Sequence, residues 1–204
     1  MKIICIGRNY KEHIRELNNT VPDEPVIFMK PDSALVPKHN PVFLPPFSNN
    51  IHYETELVLR INKLGKAIPA ERATEYFDTI GLGLDLTARD LQQKLKSKGL
   101  PWEKAKAFDF SAVVSETFLP VSDFKNLNDI HFSLKINGKT VQKASSADMI
   151  YDFAQLIAHI SRYFTLRTGD LIYTGTPAGV GTLHRNDLLE GYIEDKLMFK
   201  KRVK

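Results

Sequence analysis

The chain has 204 residues, close to the size of one domain, and 43% of them are hydrophobic and 25% charged, as in an ordinary globular protein. Its net charge of +4 is mild, and no aromatic-basic motif accompanies it, so we expect no nucleic-acid partner. Cys5 is the only cysteine, which excludes an internal disulfide and a cysteine-based zinc site. No apolar run has the length of a signal peptide or a membrane span, so we expect a cytoplasmic protein without membrane contact.

The first quarter of the chain predicts short elements. Ile3–Ile6 is typical of a strand, which Gly7 ends, and Tyr10–Leu17 has room for one or two helical turns. Seven of the eleven prolines follow between Pro22 and Pro46. Proline neither donates to a ladder nor continues a helix, so this stretch should be extended, with short edge strands and turns.

The middle of the chain alternates between strand and helix patterns. Leu57, Leu59 and Ile61 recur at every second position, the period of a strand. The elements predicted here are strand Tyr53–Ile61, helix Ala70–Phe77, buried strand Ile80–Leu86 and helix Ala88–Lys96.

The last third contains a hairpin and the longest helix. Asn137-Gly138 between two alternating runs is the strongest short hairpin signal. The elements predicted here are strands His131–Ile136 and Thr140–Gln142, helix Met149–Phe164, and strands Leu171–Thr174 and Lys196–Lys200. The whole pattern predicts a strand-rich α+β protein with one domain over residues 1–204.

Two glutamates and an aspartate are the first candidates for chemistry. In a continuous strand, His52, Glu54 and Glu56 would point to one face. Asp85 stands among apolar residues, where an acid is costly to bury unless it is paired or bound to a metal. Three carboxylates favour Mg²⁺ or Mn²⁺, and a zinc site that includes His52 is the weaker option. The alternative for the glutamates is a strand face that contacts only water.

A second candidate is the pair His13 and Glu16. On a helix, positions three apart are neighbours, so Glu16 can accept a hydrogen bond from the His13 ring and leave its other nitrogen free to take a proton. The alternative is a short surface helix whose charges pair only locally.

Two further segments could bind or stabilise negative charge, but neither is specific by itself. The glycines and hydroxyls of residues 174–181 would let a backbone approach an anion closely, but the segment is equally suited to a tight structural turn. Lys104 and Lys106 flank Ala105, and either could stabilise negative charge or simply face water. Their spacing does not choose between them.

Taken together, these residues resemble the fumarylacetoacetate hydrolase family, in particular its short acylpyruvase-like branch. The matching segments lie in the same order through most of the chain. They are Gly7-Arg8-Asn9-Tyr10, His13-x-x-Glu16, Lys30-Pro31, residues 52–57, residues 85–92, residues 98–102, Lys106-Ala107-Phe108 and residues 174–177.

The resemblance implies a β-rich α+β fold, a roll or sandwich of mixed sheets with short helices like the C-terminal domain of that family, assembled as a homodimer. It implies one Mg²⁺ or Mn²⁺ per chain at Glu54, Glu56 and Asp85. His13 and Glu16 would lie on a lid helix and activate water. The other residues that match binding or catalytic positions are Arg8, Tyr10, Lys30 and Thr176 for the substrate, with Gln92 and Lys106 for the oxyanion.

The implied activity is hydrolysis of a carbon–carbon bond in 3-acylpyruvates, such as acetylpyruvate or fumarylpyruvate, to pyruvate and a carboxylic acid. Residues 108–114 lack the Pro-x-Gly-Pro run of the isomerase relatives, which favours this activity. The alternatives are decarboxylation of oxaloacetate and isomerisation of 2-hydroxyhepta-2,4-diene-1,7-dioate. A metal-stabilised binding protein is a further alternative, against which the His13–Glu16 pair argues.

Overall fold

Strands form most of the regular structure in the computed structural model, which describes residues 1–17 and 20–204. In chain order they are β1 (Ile3–Gly7), β2 (Val26–Lys30), β3 (Ile51–Tyr53), β4 (Thr55–Ile61), β5 (Phe77–Asp85), β6 (Thr87–Ala88), β7 (Ala112–Val114), β8 (Leu119–Pro120), β9 (His131–Ile136), β10 (Lys139–Ser145), β11 (Leu171–Tyr173), β12 (Gly181–Thr182), β13 (Leu188–Ile193) and β14 (Lys196–Arg202). The α-helices are α1 (Lys11–Glu16), α2 (Arg89–Ser97), α3 (Glu103–Lys106) and α4 (Phe153–Tyr163). Short 3₁₀ helices cover Asp32–Ala34, Ala70–Tyr76, Val121–Asp123 and Ser146–Asp148.

The strands assemble into a large sheet and two smaller ones. The large sheet has the order β2-β1-β11-β4-β5-β7, and β8 also pairs with β5. Within it β1 and β11 run parallel, whereas β1 and β2, β11 and β4, and β4 and β5 run antiparallel, so the sheet is mixed. The smaller sheets have the orders β10-β9-β13-β14 and β12-β3-β6. The predicted β-rich α+β fold with mixed sheets is confirmed.

Both faces of the large sheet are buried. Along β1, Ile4 and Ile6 belong to one apolar cluster, while Ile3 and Cys5 belong to another on the opposite face, as the alternation of a strand requires. The larger cluster packs the sheet against the four-stranded sheet and α4; its members from those elements include Phe132, Leu134, Ile157, Ile160, Leu189 and Ile193. A charged side chain at a buried position of the central strands, such as Glu56 on β4 or Asp85 on β5, therefore contacts protein instead of water.

The continuous strand predicted over Tyr53–Ile61 is interrupted at Glu54. β3 pairs with β6 and β12, whereas β4 pairs with β5 and β11, so the two strands belong to different sheets. At the break, the Glu54 carbonyl accepts a hydrogen bond from the Asp85 N–H at 2.8 Å. The premise that His52, Glu54 and Glu56 lie on one continuous strand was therefore wrong, although the two glutamates still converge.

The helix predicted over Met149–Phe164 begins later than its apolar pattern indicated. Residues 146–148 form a 3₁₀ helix and α4 starts only at Phe153, because Asp152 and Gln155 form a capping box. The Gln155 N–H donates to Asp152 at 2.8 Å, and the Asp152 N–H donates to Gln155 at 2.9 Å. α4 is nonetheless the longest helix among the described residues, as predicted.

The remaining predicted elements are found with small shifts. Ala70–Tyr76 is helical but 3₁₀, and β10 runs on to Ser145, past the predicted end at Gln142. The hairpin turns at Asn137 and Gly138, whose φ angles are 51° and 82°, the left-handed values that such a turn requires. Within the described ranges, the helices are too short or too polar to cross a membrane.

Replacing Asp152 with Ala should lower the free energy of unfolding by about 1 kcal/mol, because the N-terminus of α4 loses its cap. Urea unfolding followed by circular dichroism measures the change. Asp78→Ala, which removes an exposed carboxylate from β5, is the matched control and should stay within about 0.5 kcal/mol of the unmodified protein. Equal losses in the two variants would contradict the capping role.

Candidate active site

The fold brings the three predicted carboxylates together. Glu54 lies at the junction of β3 and β4, Glu56 lies in β4, and Asp85 ends β5. β4 and β5 are antiparallel neighbours that pair Glu56 with Gly83, so their acidic ends meet. Each carboxylate offers an oxygen within 4.8 Å of the others, and none of the three residues is more than 5% exposed.

Cations surround two of these carboxylates. Lys106 Nζ lies 2.7 Å from Glu54 Oε2 and 2.6 Å from Asp85 Oδ2. The Arg89 guanidinium also pairs with Glu54, and Lys30 Nζ lies 2.7 Å from Asp85 Oδ1. Burial acts to raise the pKa of Glu54, but Lys106 and Arg89 lower it well below its ordinary value, so this carboxylate is ionised.

Glu56 lacks such compensation. It has no ion-pair partner in residues 1–17 and 20–204, and its Oε2 accepts one hydrogen bond, at 2.7 Å, from the Gly175 N–H. Burial, followed by the charges of Asp85 and Glu54, raises the pKa of Glu56 well above its ordinary value. Three hard oxygen donors, one of which lacks a protein cation, fit a divalent metal ion.

His13 and Glu16 lie side by side on α1, as predicted. His13 Nδ1 is 3.3 Å from Glu16 Oε2, and Glu16 Oε1 accepts a hydrogen bond from the Gly179 N–H at 3.0 Å. Burial lowers the pKa of His13 below 6.5, against the opposing attraction of Glu54 and Glu16. The imidazole is therefore neutral near pH 7 and able to accept a proton.

One cleft joins these groups. Its cavity volume is small, about 50 Å³. The predicted residues that line it are Arg8, His13, Glu54, Glu56, Asp85, Gln92, Lys106 and Thr176. Lys106 is 3% exposed and lies in the cleft, whereas Lys104 is exposed on the outer side of α3, which decides the choice that the spacing left open.

Tyr10 and Lys30, predicted to bind the substrate, do not line the cleft. Lys30 is 2% exposed, and its ammonium is taken up by Asp85, Ser111 and the carbonyls of residues 86 and 106. Tyr10 is buried against the edge of the Phe132 ring. Both were marked by the family motif, but the backbone directs their side chains into the core behind the site.

Several residues that sequence reasoning missed also line the cleft: Leu17, Phe28, Arg89, Lys96 and Trp102. Arg89 carried a signal, because it lies in the same matching segment as Asp85, residues 85–92, and three residues before Gln92, to which it donates at 2.5 Å. Phe28 and Trp102 are far apart in the chain and meet edge to face, 6.2 Å between ring centroids, so no local pattern could pair them.

His52 does not join the carboxylates. Its Nδ1 accepts a hydrogen bond from Arg89 Nε at 3.3 Å, and the potential metal-binding group contains the three acids without it. Burial, reinforced by Arg89, lowers the pKa of His52 to about 4. The geometry thus favours the all-oxygen site over the zinc alternative.

The chain is similar to known proteins over almost its whole length. The oxaloacetate tautomerase of Mus musculus mitochondria is 41% identical over 202 residues, which cover 99% of this chain and 91% of that protein. A fumarylacetoacetate hydrolase family protein of Yersinia pestis CO92 superposes with a TM-score of 0.95 at 41% identity, covering 100% of this chain and 93% of the other.

A third similar protein was solved with ligands. The structure of fumarylpyruvate hydrolase from Pseudomonas aeruginosa, in complex with Mn²⁺ and pyruvate, has a TM-score of 0.92 and 38% identity, covering 100% of this chain and 89% of the other. The family model of the fumarylacetoacetate (FAA) hydrolase C-terminal domain matches residues 2–204. The match extends over almost the whole chain, and the chain therefore belongs to the fumarylacetoacetate hydrolase family.

Proposed function

We propose that this chain is a metal-dependent enzyme that interconverts the keto and enol forms of oxaloacetate. The observation that carries the proposal is the grouping of a neutral imidazole, a buried ammonium and three carboxylates around one cleft. The activity named for the mouse relative supports oxaloacetate as the substrate.

The reaction moves one proton from C3 of oxaloacetate to the oxygen on C2 and changes no other connectivity. It needs a base for the carbon-bound proton and positive charge beside the oxygen that becomes negative. His13 supplies the base, because burial keeps its ring neutral and Glu16 holds its Nδ1. Lys106 supplies the positive charge, since Asp85 and Glu54 raise its pKa despite its burial.

Glu54, Glu56 and Asp85 would hold Mg²⁺ or Mn²⁺. When bound, the ion supplies Lewis-acid stabilisation of the negative charge on the substrate. The Mn²⁺ in the Pseudomonas relative supports this choice of ions. Arg8, Arg89 and Thr176 are the residues of the cleft suited to hold the substrate carboxylates.

A second candidate is the predicted hydrolysis of 3-acylpyruvates. The His13–Glu16 pair favours it, because an oriented base can take a proton from water as readily as from carbon. The name of the Pseudomonas relative supports it as well. It ranks second because the higher-identity mouse relative is named as a tautomerase. Isomerisation of the heptadienedioate ranks third, because the isomerase of that compound from Mycobacterium marinum supports it at only 34% identity. Decarboxylation of oxaloacetate ranks last, since only its shared enolate chemistry supports it.

Location and assembly complete the proposal. We retain a cytoplasmic enzyme of one domain, assembled as a homodimer, as predictions from the sequence and its resemblance. The mouse relative is named as mitochondrial, so membership of the family does not itself assign a compartment.

Loss of enol-oxaloacetate, followed by its ultraviolet absorbance, should accelerate when the protein is supplied with Mg²⁺ or Mn²⁺ and return to the spontaneous rate with EDTA. Acetylpyruvate cleavage, measured as pyruvate release, is tested in parallel. Metal-dependent pyruvate release without any effect on the oxaloacetate enol would reverse the order of the two candidates.

His13→Ala should reduce tautomerisation about 10²–10⁴-fold, the usual contribution of a general base. The affinity for Mn²⁺, measured by calorimetry, should stay the same because His13 is not among the carboxylates that would hold the ion. His39→Ala removes an exposed histidine and serves as the control, with full activity expected. An unchanged rate in His13→Ala would eliminate it as the base.

Glu56→Gln should weaken Mn²⁺ binding at least about tenfold. Loss of a residue that only hydrogen-bonds to a metal ligand already costs about 10–100-fold in metal affinity, and loss of the ligand itself should cost no less. The raised pKa of Glu56 means that its carboxyl stays protonated to a higher pH than usual, and a metal binds only the anion. Affinity should therefore rise with pH, and binding should release a proton.

Calorimetry in two buffers of different ionisation enthalpy measures that proton. Glu71→Gln, which alters an exposed acid, should leave both the affinity and the proton release unchanged. Mn²⁺ binding that is independent of both pH and Glu56 would place the ion elsewhere.

A further inference from the structure

Gln142 contacts the cleft residue Thr176 from the four-stranded sheet. It lies on β10, is 2% exposed, and makes three hydrogen bonds with its side-chain amide. Oε1 accepts from the Thr55 N–H at 3.0 Å, while Nε2 donates to the Pro177 carbonyl at 3.0 Å and to Thr176 Oγ1 at 3.0 Å. No motif in the sequence singled this residue out.

The neighbours of Gln142 fix the orientation of its amide. A backbone N–H can only donate, so the group facing Thr55 has to be the oxygen. A carbonyl can only accept, so the group facing Pro177 has to be the NH₂. The NH₂ therefore also faces Thr176, whose hydroxyl oxygen serves there as an acceptor.

This leaves the hydrogen of the Thr176 hydroxyl to be donated elsewhere. Thr176 is 4% exposed and lines the cleft, and the residues described offer that hydrogen no acceptor within the protein. Four cationic side chains line the same cleft with three carboxylates: Arg8, Arg89, Lys96 and Lys106 with Glu54, Glu56 and Asp85. The cations outnumber the carboxylates, and a metal ion held by the carboxylates would add further positive charge, so the cleft suits an anion. A carboxylate oxygen is the acceptor that suits both the donor and the charge.

We propose that Gln142 is a positioning residue that turns the Thr176 hydroxyl into a hydrogen-bond donor for a substrate carboxylate. The inference rests on the proposed function, because it assigns one contact of the same oxo-acid. Gln142 also holds the Thr55 N–H, between Glu54 and Glu56, so one amide fixes the carboxylates and the anion donor relative to each other.

Oxalate binding tests the proposal without turnover. Calorimetry gives the oxalate affinity of the Mn²⁺-loaded protein, and the Mn²⁺ affinity is measured separately. Thr176→Val should weaken oxalate binding about tenfold, as the loss of a hydrogen bond to a charged group does. Gln142→Glu should weaken it by a similar factor, because the introduced carboxylate attracts the Thr176 hydrogen to itself.

The double variant separates positioning from general damage. In the Thr176→Val background, Gln142→Glu should have only the small effect of its added charge. Thr176→Ser, which keeps the hydroxyl, should bind oxalate more tightly than Thr176→Val. Gln93→Glu makes the same chemical change on the exposed side of α2 and should alter nothing. Gln142→Met provides a neutral replacement, and the oxalate affinity that it loses should likewise show no further loss in the Thr176→Val background. Thermal unfolding checks that each variant folds.

Equal losses from the Gln142 substitutions with and without Thr176 would overturn the inference, as would full oxalate affinity in Thr176→Val. Either result leaves the proposed function standing if the unmodified protein binds oxalate only with Mn²⁺. Absence of metal-dependent oxalate binding in the unmodified protein would instead overturn the proposed function, and this inference with it.

Discussion

Three carboxylates buried within 4.8 Å of one another impose the constraint on which the rest of this site depends. Like charges at that separation repel, and burial removes the water that would screen them. The fold responds with cations supplied from distant parts of the chain: Lys106 contacts both Glu54 and Asp85, Arg89 contacts Glu54, and Lys30 contacts Asp85. The site is therefore a small network of buried ion pairs inside an otherwise apolar core.

Such a network of ion pairs is poor evidence that these residues stabilise the fold, and good evidence that they serve binding or catalysis. In a buried ion pair, the attraction between the charges is roughly offset by the hydration that both have lost. Removing one partner leaves the other charge buried without compensation, which lowers the free energy of unfolding by about 3–5 kcal/mol. Lys30 illustrates the arrangement, since its ammonium lies on Asp85 and on Ser111 behind the cleft and cannot reach a substrate. Lys30 therefore holds the Asp85 carboxylate in place, so that its other oxygen can bind a further partner. We infer that a divalent metal ion is that partner.

The loop of residues 174–181 connects the parts of the site. The Gly175 N–H donates to Glu56, the Gly179 N–H donates to Glu16, and Gln142 reaches the loop from a different sheet. Gly175 has a φ of 102°, and a Cβ there would lie 2.7 Å from the Cβ of Asn9, so only glycine fits. The backbone of one loop thus sets the positions of a carboxylate and of the helix that carries the base.

The sequence by itself determined strands β1, β4, β5, β9, β10, β11 and β14, helices α1, α2 and α4, the pairing of His13 with Glu16, and the isolation of Asp85 among apolar residues. It did not predict strands β7, β8, β12 and β13 or helix α3. These features depend on neighbours a few residues apart, where period and spacing decide the outcome. Only the tertiary structure decided that the strand breaks at Glu54 and that Lys30 lies behind the site. It alone brought Gln142 to Thr176, 34 residues away. Those outcomes follow from how separate sheets pack against one another. The periodicity of the sequence gives only the face of the strand or helix on which a side chain lies, whereas packing decides which distant residues that side chain contacts.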